Sequence, residues 1–203
     1  MFYYLKNLKI HTTKDKSYNL EDIDIHIVSD SYLKKNKLNL KYILNTHHHA
    51  DHIGGNLELK KEFNSQILGF EKDKSRIPGI DIFLKDKQIW NFEDTDVLIE
   101  HVPGHTSGHI FYYFKNEESA FTGDTLFSFG CGRLFEGSYL EMLNSLKKIK
   151  SLPSKTKIFC GHEYTVNNLK FCIEIDKNNL ELKKKYNQII SNIKNKLPSI
   201  PSN

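Results

Sequence analysis

Cysteine is scarce: Cys131, Cys160 and Cys172 are the only three in 203 residues. An odd, sparse set excludes a disulfide framework and makes a reducing cytosol the expected location. There is no Cys-x-x-Cys pair, so zinc held by paired thiolates is excluded as well. No apolar run approaches 18 residues, so no membrane span is expected. Met1 to Ile10 mixes Lys6 and Lys9 into its apolar residues and has no small-residue cleavage site, so no secretory signal is expected either. Charge of one sign is also in short supply. The net charge is +4, and the lysines are spread along the chain. That modest excess reads first as a compositional habit shared with Asn and Ile, and second as suited to a small anionic substrate; nucleic acid asks for a clustered basic face with aromatics. Only Lys183 to Lys185 resembles a cluster, and it reads as the solvated face of a helix. With 38% hydrophobic and 27% charged residues, the composition is that of a folded globular chain.

Short strands recur with helices between them. Phe2 to Ile10 and Ile23 to Val28 read as strands and Ser31 to Asn36 as helical. Tyr42 to Leu44 is a short apolar strand that runs into Thr46-His47-His48-His49. Asn56 to Phe63 reads as a helix. Strands are expected over Gln66 to Phe70, Val97 to Val102, Ile110 to Phe114, Ala120 to Thr122 and Lys157 to Cys160, all β-branched or aromatic and bounded by turn residues. Ser138 and Glu141 form a capping box ahead of Met142, Leu143, Leu146 and Ile149, and Pro153 stops that helix. Leu182, Tyr186, Ile189, Ile190, Ile193 and Leu197 share one face of a last amphipathic helix. The alternation argues for a layered α/β fold.

Four of the ten histidines lie between His47 and His52. The pattern His47-x-His49-x-Asp51-His52 brings three imidazoles and a carboxylate into one loop. His47 and His49 are two apart, so at an extended strand end they face one side, and the intervening His48 faces away. Asp51 and His52 follow as the chain turns, so they can address a neighbouring point. Three more candidates each follow an apolar strand and a glycine: His105 after Val102-Pro103-Gly104, Asp124 after Thr122-Gly123, and His162 after Cys160-Gly161. Together these five imidazoles and two carboxylates suit two first-row divalent ions, zinc first, with iron or manganese also accepted. One ion would take His47, His49 and His105, the other Asp51, His52 and His162, with Asp124 as the bridge. Asp51 and Asp124 are also the carboxylates assigned to catalysis. His109 reads as a buried hydrogen-bonding partner, and His11, His26 and His101 as structural.

The Thr46 to His52 loop, the Gly104 to His109 turn, Gly123-Asp124 and His162 resemble the metallo-β-lactamase superfamily in order and spacing. Within it, Gly123 to Phe127, Gly130 to Gly137, and Gly161-His162-Glu163-Tyr164-Thr165 with Asn167 to Phe171 resemble the glyoxalase II (hydroxyacylglutathione hydrolase) family. The resemblance implies an α/β fold, a four-layer αββα sandwich with a binuclear site at one sheet edge and a short, truncated C-terminal helical extension. The corresponding division is a catalytic domain over 1–165 and a partial helical substrate-binding region over 166–203. It implies hydrolysis of S-(2-hydroxyacyl)glutathione, such as S-D-lactoylglutathione, to glutathione and D-lactate in methylglyoxal detoxification. The residues suit that chemistry. Two ions about 3.5–4 Å apart can hold a hydroxide for attack on the thioester carbonyl, because metal binding lowers the pKa of water. A thiolate leaves readily, and no Gly-x-Ser-x-Gly elbow is present. By the same resemblance Arg133 and Tyr164 contact glutathione, and Phe135 stands where some members carry a glutathione-binding Tyr. The expected partner is this small thioester, with no nucleic acid and no membrane, acting on a cytoplasmic monomer.

Two departures from the family bear on activity. Its opening strand and Val-Asp-Pro turn have only Val28-Ser29-Asp30 as a counterpart, close to His47. The chain also stops at Asn203, where family members continue with basic residues that grip glutathione, so turnover is expected to persist with a raised KM. Two further readings stand beside the hydrolase: a mononuclear iron enzyme of the persulfide dioxygenase type, and a metal-binding remnant with weak activity. The continuation Glu163-Tyr164-Thr165 favours the hydrolase.

Overall fold

The structure is a computed structural model, and it describes residues 10–11, 17–18, 35, 39–92, 95–195, 197 and 199–202. The strands expected over Phe2 to Ile10 and Ile23 to Val28, the Ser31 to Asn36 helix, the Val28-Ser29-Asp30 turn, the His11 ring and His26 lie outside these residues, apart from the backbone of 10, 11 and 35. Ile10–His11 (β1) pairs antiparallel with Ser17–Tyr18 (β2).

Two larger sheets carry the fold. Tyr42–Leu44 (β3), Gln66–Phe70 (β4) and Ile82–Leu84 (β5) form a parallel three-stranded sheet in that order. Between its strands lie the short helix Ala50–Ile53 (α1) and the helix Asn56–Phe63 (α2). The second sheet has five strands: Ile89–Phe92 (β6), Thr95–His101 (β7), Ile110–Phe114 (β8), Ser119–Gly123 (β9) and, beyond a small hairpin of Leu126–Phe127 (β10) with Gly130–Cys131 (β11), Lys157–Cys160 (β12). Its order is β12-β9-β8-β7-β6, with β12 and β9 parallel and the other pairs antiparallel. Helix Tyr139–Lys150 (α3) precedes β12, and Thr165–Ile175 (α4) and Leu180–Lys194 (α5) follow it.

Side-chain alternation builds the layers. Ile110, Tyr112 and Phe114 of β8 face the three-stranded sheet and pack with Leu68, Phe70 and Leu84. Phe111 and Tyr113 of the same strand face the other way and pack with Ile149 of α3. On the far side of the smaller sheet, Ile43 and Ile67 meet Leu59 of α2. The order is therefore helix, sheet, sheet, helix, as the family resemblance implied. All five residues of β8 are buried, because a strand covered on both faces has no polar side to show. Each large side chain so placed contributes about 1.5–3 kcal/mol.

The capping box at α3 forms as read: Ser138 Oγ accepts from Glu141 N at 3.2 Å, and Glu141 Oε2 accepts from Ser138 N at 2.8 Å. The last helix is only partly covered. Ile189 is buried and Ile193 about half exposed; the helix ends at Lys194, so Leu197, expected on its apolar face, lies beyond it. Strands β5 and β6 and helix α4 were not anticipated from the sequence. Ile82–Leu84 and Ile89–Phe92 are short and break the apolar alternation.

Candidate metal centre

The sheet order explains why residues far apart in sequence converge. In the five-stranded sheet, β7, β9 and β12 run in one direction and β8 in the other, so all three end at the same edge. His105, Asp124 and His162 lie just past those three ends. The smaller sheet is stitched on at that edge: Thr46 O accepts from Ile110 N at 2.9 Å, and Asn45 O accepts from Tyr112 Oη at 2.8 Å. That places the loop after β3, with His47 and His49, over the same spot. Asn45 Nδ2 in turn donates to His52 O at 3.1 Å, and Asn56 Nδ2 to Asn45 Oδ1 at 2.8 Å, so a buried amide pair braces the loop from below.

The structure brings all seven expected ligand-type residues together. His47 Nε2 lies 3.2 Å from His49 Nδ1, and His105 Nε2 lies 3.0 Å from the same His49 atom. His52 Nε2 and His162 Nε2 are 3.3 Å apart, and Asp51 Oδ2 is 3.3 Å from His162 Nε2. Asp124 faces both groups. Its Oδ1 is 3.4 Å from His52 Nε2, and its Oδ2 is 3.2 Å from His162 Nε2 and 3.6 Å from His105 Nε2. The atoms of His47, His49 and His105 lie within 4.8 Å of one another, as do those of Asp51, His52 and His162; His47, His52 and Asp124 form a third such group joining the two.

A divalent ion fits this arrangement. Ligands held tetrahedrally at 2.0–2.1 Å from zinc are about 3.3–3.4 Å apart, close to the nitrogen spacings seen. Asp124 Oδ1 is buried with no hydrogen-bond partner among the described residues. The outer partners also leave the right lone pairs free. Arg133 O lies 2.8 Å from His105 Nδ1, and a carbonyl only accepts, so Nδ1 carries the proton and Nε2 points bare at the cluster. Thr46 Oγ1 lies 3.1 Å from His47 Nδ1, where its hydroxyl can accept the ring proton and leave Nε2 facing the cluster. Burial and the neighbouring rings hold His47 far below the usual imidazole range, and burial likewise lowers His49 and His105. Neutral imidazoles are the metal-binding form. Desolvation resists ionisation of Asp124, but the imidazoles around it, His52 foremost and then His162 and His105, outweigh it, and its pKa is lowered.

His109 is fully buried and stacks on His47 at 4.7 Å. Asp124 N donates to its Nε2 at 3.1 Å, so its Nδ1–H faces Thr125 Oγ1 at 3.2 Å. Burial, then the charge of His105, pushes it down to about 3. Gly123 has φ +51°, and a Cβ there would meet His109 Nε2 at 2.8 Å. Glycine is thus required for the turn that delivers Asp124. Tyr164 is about half exposed and stacks on His162 at 5.1 Å. The Arg133 side chain is exposed, while its carbonyl holds His105. Phe135 is exposed and stands edge-on to His49 and His105 at 5.4 and 5.3 Å. His48 points out of the cluster toward Asp73 and Glu136, and the His101 ring stacks on Phe70. Sequence reasoning missed Asn45, Asn56, Asp73, Arg76 and Glu136. The Asp73/Arg76 spacing of three was the one available signal.

The model described as Metallo-beta-lactamase superfamily matches residues 19–162, and that described as Hydroxyacylglutathione hydrolase C-terminus matches 163–203. A hydroxyacylglutathione hydrolase from Pelagibacter ubique is 57% identical over 171 residues, covering 84% of this chain and 72% of that protein. The chain belongs to the metallo-β-lactamase superfamily, in its hydroxyacylglutathione hydrolase branch. A second member of that branch, from Methylococcus capsulatus, is 44% identical over 80% of this chain and 64% of its own length. The chain thus spans less than two thirds of this second relative. Among solved structures, the BLEG-1 B3 metallo-beta-lactamase matches with TM-score 0.60 and 29% identity over 66% of this chain and 74% of that one. Superfamily membership carries divalent-metal binding with it, in keeping with the seven converging ligand-type side chains. No helix among the described residues is long and apolar enough to cross a membrane.

Proposed function

We propose that the chain is a thioester hydrolase that cleaves S-(2-hydroxyacyl)glutathione, such as S-D-lactoylglutathione, to glutathione and D-lactate. The observation that carries this reading is the two-part ligand cluster joined by Asp124, in a chain 57% identical to a hydroxyacylglutathione hydrolase. His47, His49 and His105 would hold one divalent ion and Asp51, His52 and His162 the other, with Asp124, which faces both groups, available to either. Zinc is the ion proposed, since nitrogen and oxygen donors suit it. Two such ions bring water to attack strength near neutral pH and polarise the thioester carbonyl.

The chain's own residues do the rest. Asp51 is well exposed at the mouth and Asp124 is buried. These carboxylates take up the proton lost as the C–O bond forms, and the C–S bond then breaks to release the thiol. Arg133 matches a glutathione carboxylate, and Tyr164 lays its ring along the approach past His162. His109 and Thr46 keep Asp124 and His47 in place. The division proposed is catalysis in 1–165 and substrate holding in 166–203, and the reaction belongs to cytosolic methylglyoxal detoxification. The test is hydrolysis of S-D-lactoylglutathione, followed as loss of thioester absorbance with and without chelator, alongside metal content. Chelator-sensitive turnover with close to two ions per chain is expected. Two bound ions with no turnover would overturn the reading.

A further inference from the structure

A second set of charges meets just outside the ligand cluster. Asp73, at the end of the 3-10 turn Glu71–Asp73, is fully buried. Arg76 donates to its Oδ1 through Nε at 3.1 Å and Nη2 at 2.5 Å. The same guanidinium donates through Nη1 to Glu136 Oε1 at 2.7 Å and through Nη2 to Ser107 Oγ at 3.0 Å. Glu136 Oε2 accepts from Ser107 N at 2.7 Å and from Ser107 Oγ at 2.8 Å. The His48 ring sits between the two carboxylates, with Nδ1 3.4 Å from Asp73 Oδ2 and Nε2 3.4 Å from Glu136 Oε1. None of these five side chains belongs to the ligand cluster.

Glu136 lies on the segment 130–137, which touches the first half-site at several points. Arg133 O holds His105 Nδ1, Phe135 N donates to His105 O at 3.2 Å, and the Phe135 ring covers His49 and His105. Gly137 N donates to Gly104 O at 3.1 Å, next to His105 in the chain. The segment also carries Arg133. At its far end, Glu136 is tied to both loops that supply ligands to this half-site: directly to the 103–109 loop through Ser107, and to the 47–52 loop by way of Arg76, whose Nη1 bonds Glu136 Oε1 and lies 3.3 Å from the acceptor His48 Nε2. His48 alternates with His47 and His49 along the chain, so tethering it outward favours its neighbours pointing inward. Bonds to a charged carboxylate are about twice as strong as neutral ones.

We propose that Glu136 is a positioning residue: with Arg76 and Ser107 it clamps the substrate segment 130–137 to the His47/His49/His105 half-site, so that metal affinity there and substrate binding are set together. The substrate half of this inference rests on the thioester hydrolase reading. The metal half does not.

The test is Glu136→Gln, which keeps the side chain's shape and an acceptor for Ser107 but loses the charge facing Arg76 and His48. Metal-free wild type and variant are titrated with Co(II), read by visible absorption and chelator competition. S-D-lactoylglutathione kinetics and thermal unfolding are measured alongside. In the variant, one of two cobalt equivalents should bind about tenfold more weakly, the lower end of the range for outer partners of ligating histidines, and KM should rise more than kcat falls. Ser107→Ala, which removes only the hydroxyl, should move both readouts the same way by less, and it carries the test if Glu136→Gln does not fold. Wild-type cobalt titrations and unchanged KM in both variants, with a lowered unfolding temperature alone, would overturn the proposal and leave the network a stabilising one. If the wild type binds two ions and hydrolyses no thioester, the proposed function fails, while the cobalt titration still decides the place of Glu136.

Discussion

Replacing Gly161 with Ala tests the ligand cluster through a single methyl group. Gly161 follows β12, and its N–H donates to Gly123 O at 2.7 Å, tying the loop of His162 to the loop of Asp124. Its φ lies outside the left-handed region, so alanine meets no backbone penalty there. What it meets is the cluster itself. A Cβ on residue 161 would press on Asp124 Oδ1, inside the 3.0 Å that real Cβ atoms keep, and would lie 3.0 Å from His52 Cε1. The carboxylate would have to retreat by about 1 Å, and a displacement of that size at a reacting centre costs about 100-fold in rate. Overpacking a tight interior costs a further 1–3 kcal/mol or so of stability. Because Asp124 faces both half-sites, Gly161→Ala should lower both metal stoichiometry and kcat, while the protein stays folded. Metal analysis after gel filtration and chelator-sensitive thioester hydrolysis read the two effects. A variant with two ions per chain and wild-type kcat would refute the placement of Asp124 between the ions.

Other outcomes follow from single contacts. Desolvation resists ionisation of Glu136, but bonds from Ser107 and Arg76 outweigh it and hold its carboxyl down from 4.5 to about 2. A lowered folded-state pKa contributes stability above the unfolded value and loses it as pH falls, so the unfolding-temperature gap between wild type and Glu136→Gln should be full above pH 4.5 and shrink toward pH 2; a gap that widens on acidification contradicts the network. Tyr112→Phe removes a buried hydroxyl that serves Asn45 O, and should cost about 1–3 kcal/mol in denaturant unfolding, the penalty for a buried acceptor left unpaired. Ser138→Ala breaks the α3 capping box and should cost about 1 kcal/mol by the same measurement, with thioester kcat unchanged.

The part of the site that was legible came from residue types that have few uses when grouped. Three imidazoles and a carboxylate between His47 and His52 leave little but metal as an explanation, and His105, Asp124 and His162 each follow an apolar strand and a glycine. The helix starting at Ser138 was legible because capping is local: Ser138 and Glu141 bond each other without help from the rest of the fold. The strand Ile82–Leu84 was not legible: unlike Tyr42 to Leu44, it leads into no motif that marks its end. Its place is decided by pairing with Leu68 to Phe70. The charges around Glu136 were hidden for a related reason. Asp73 and Arg76 are close in sequence, but Glu136 joins them from 60 residues away, and a lone exposed-looking Glu in a Gly-rich segment gives no sign of that partner.

Sequence alone therefore determined the donor inventory, the capping box of α3 and six of the eight strands of the two larger sheets, since each depends on neighbours within a few residues. It could also place His48 outside the ligand set, because alternation along an extended segment is a local rule. Only the tertiary structure decided which imidazole nitrogen faces which neighbour, that Asp124 looks to both half-sites, and that Glu136 ties the substrate segment to two ligand loops. Those relations depend on β7, β9 and β12 ending at one edge and on the smaller sheet being stitched over it, and strand order is a property of long-range pairing that no short stretch of chain contains.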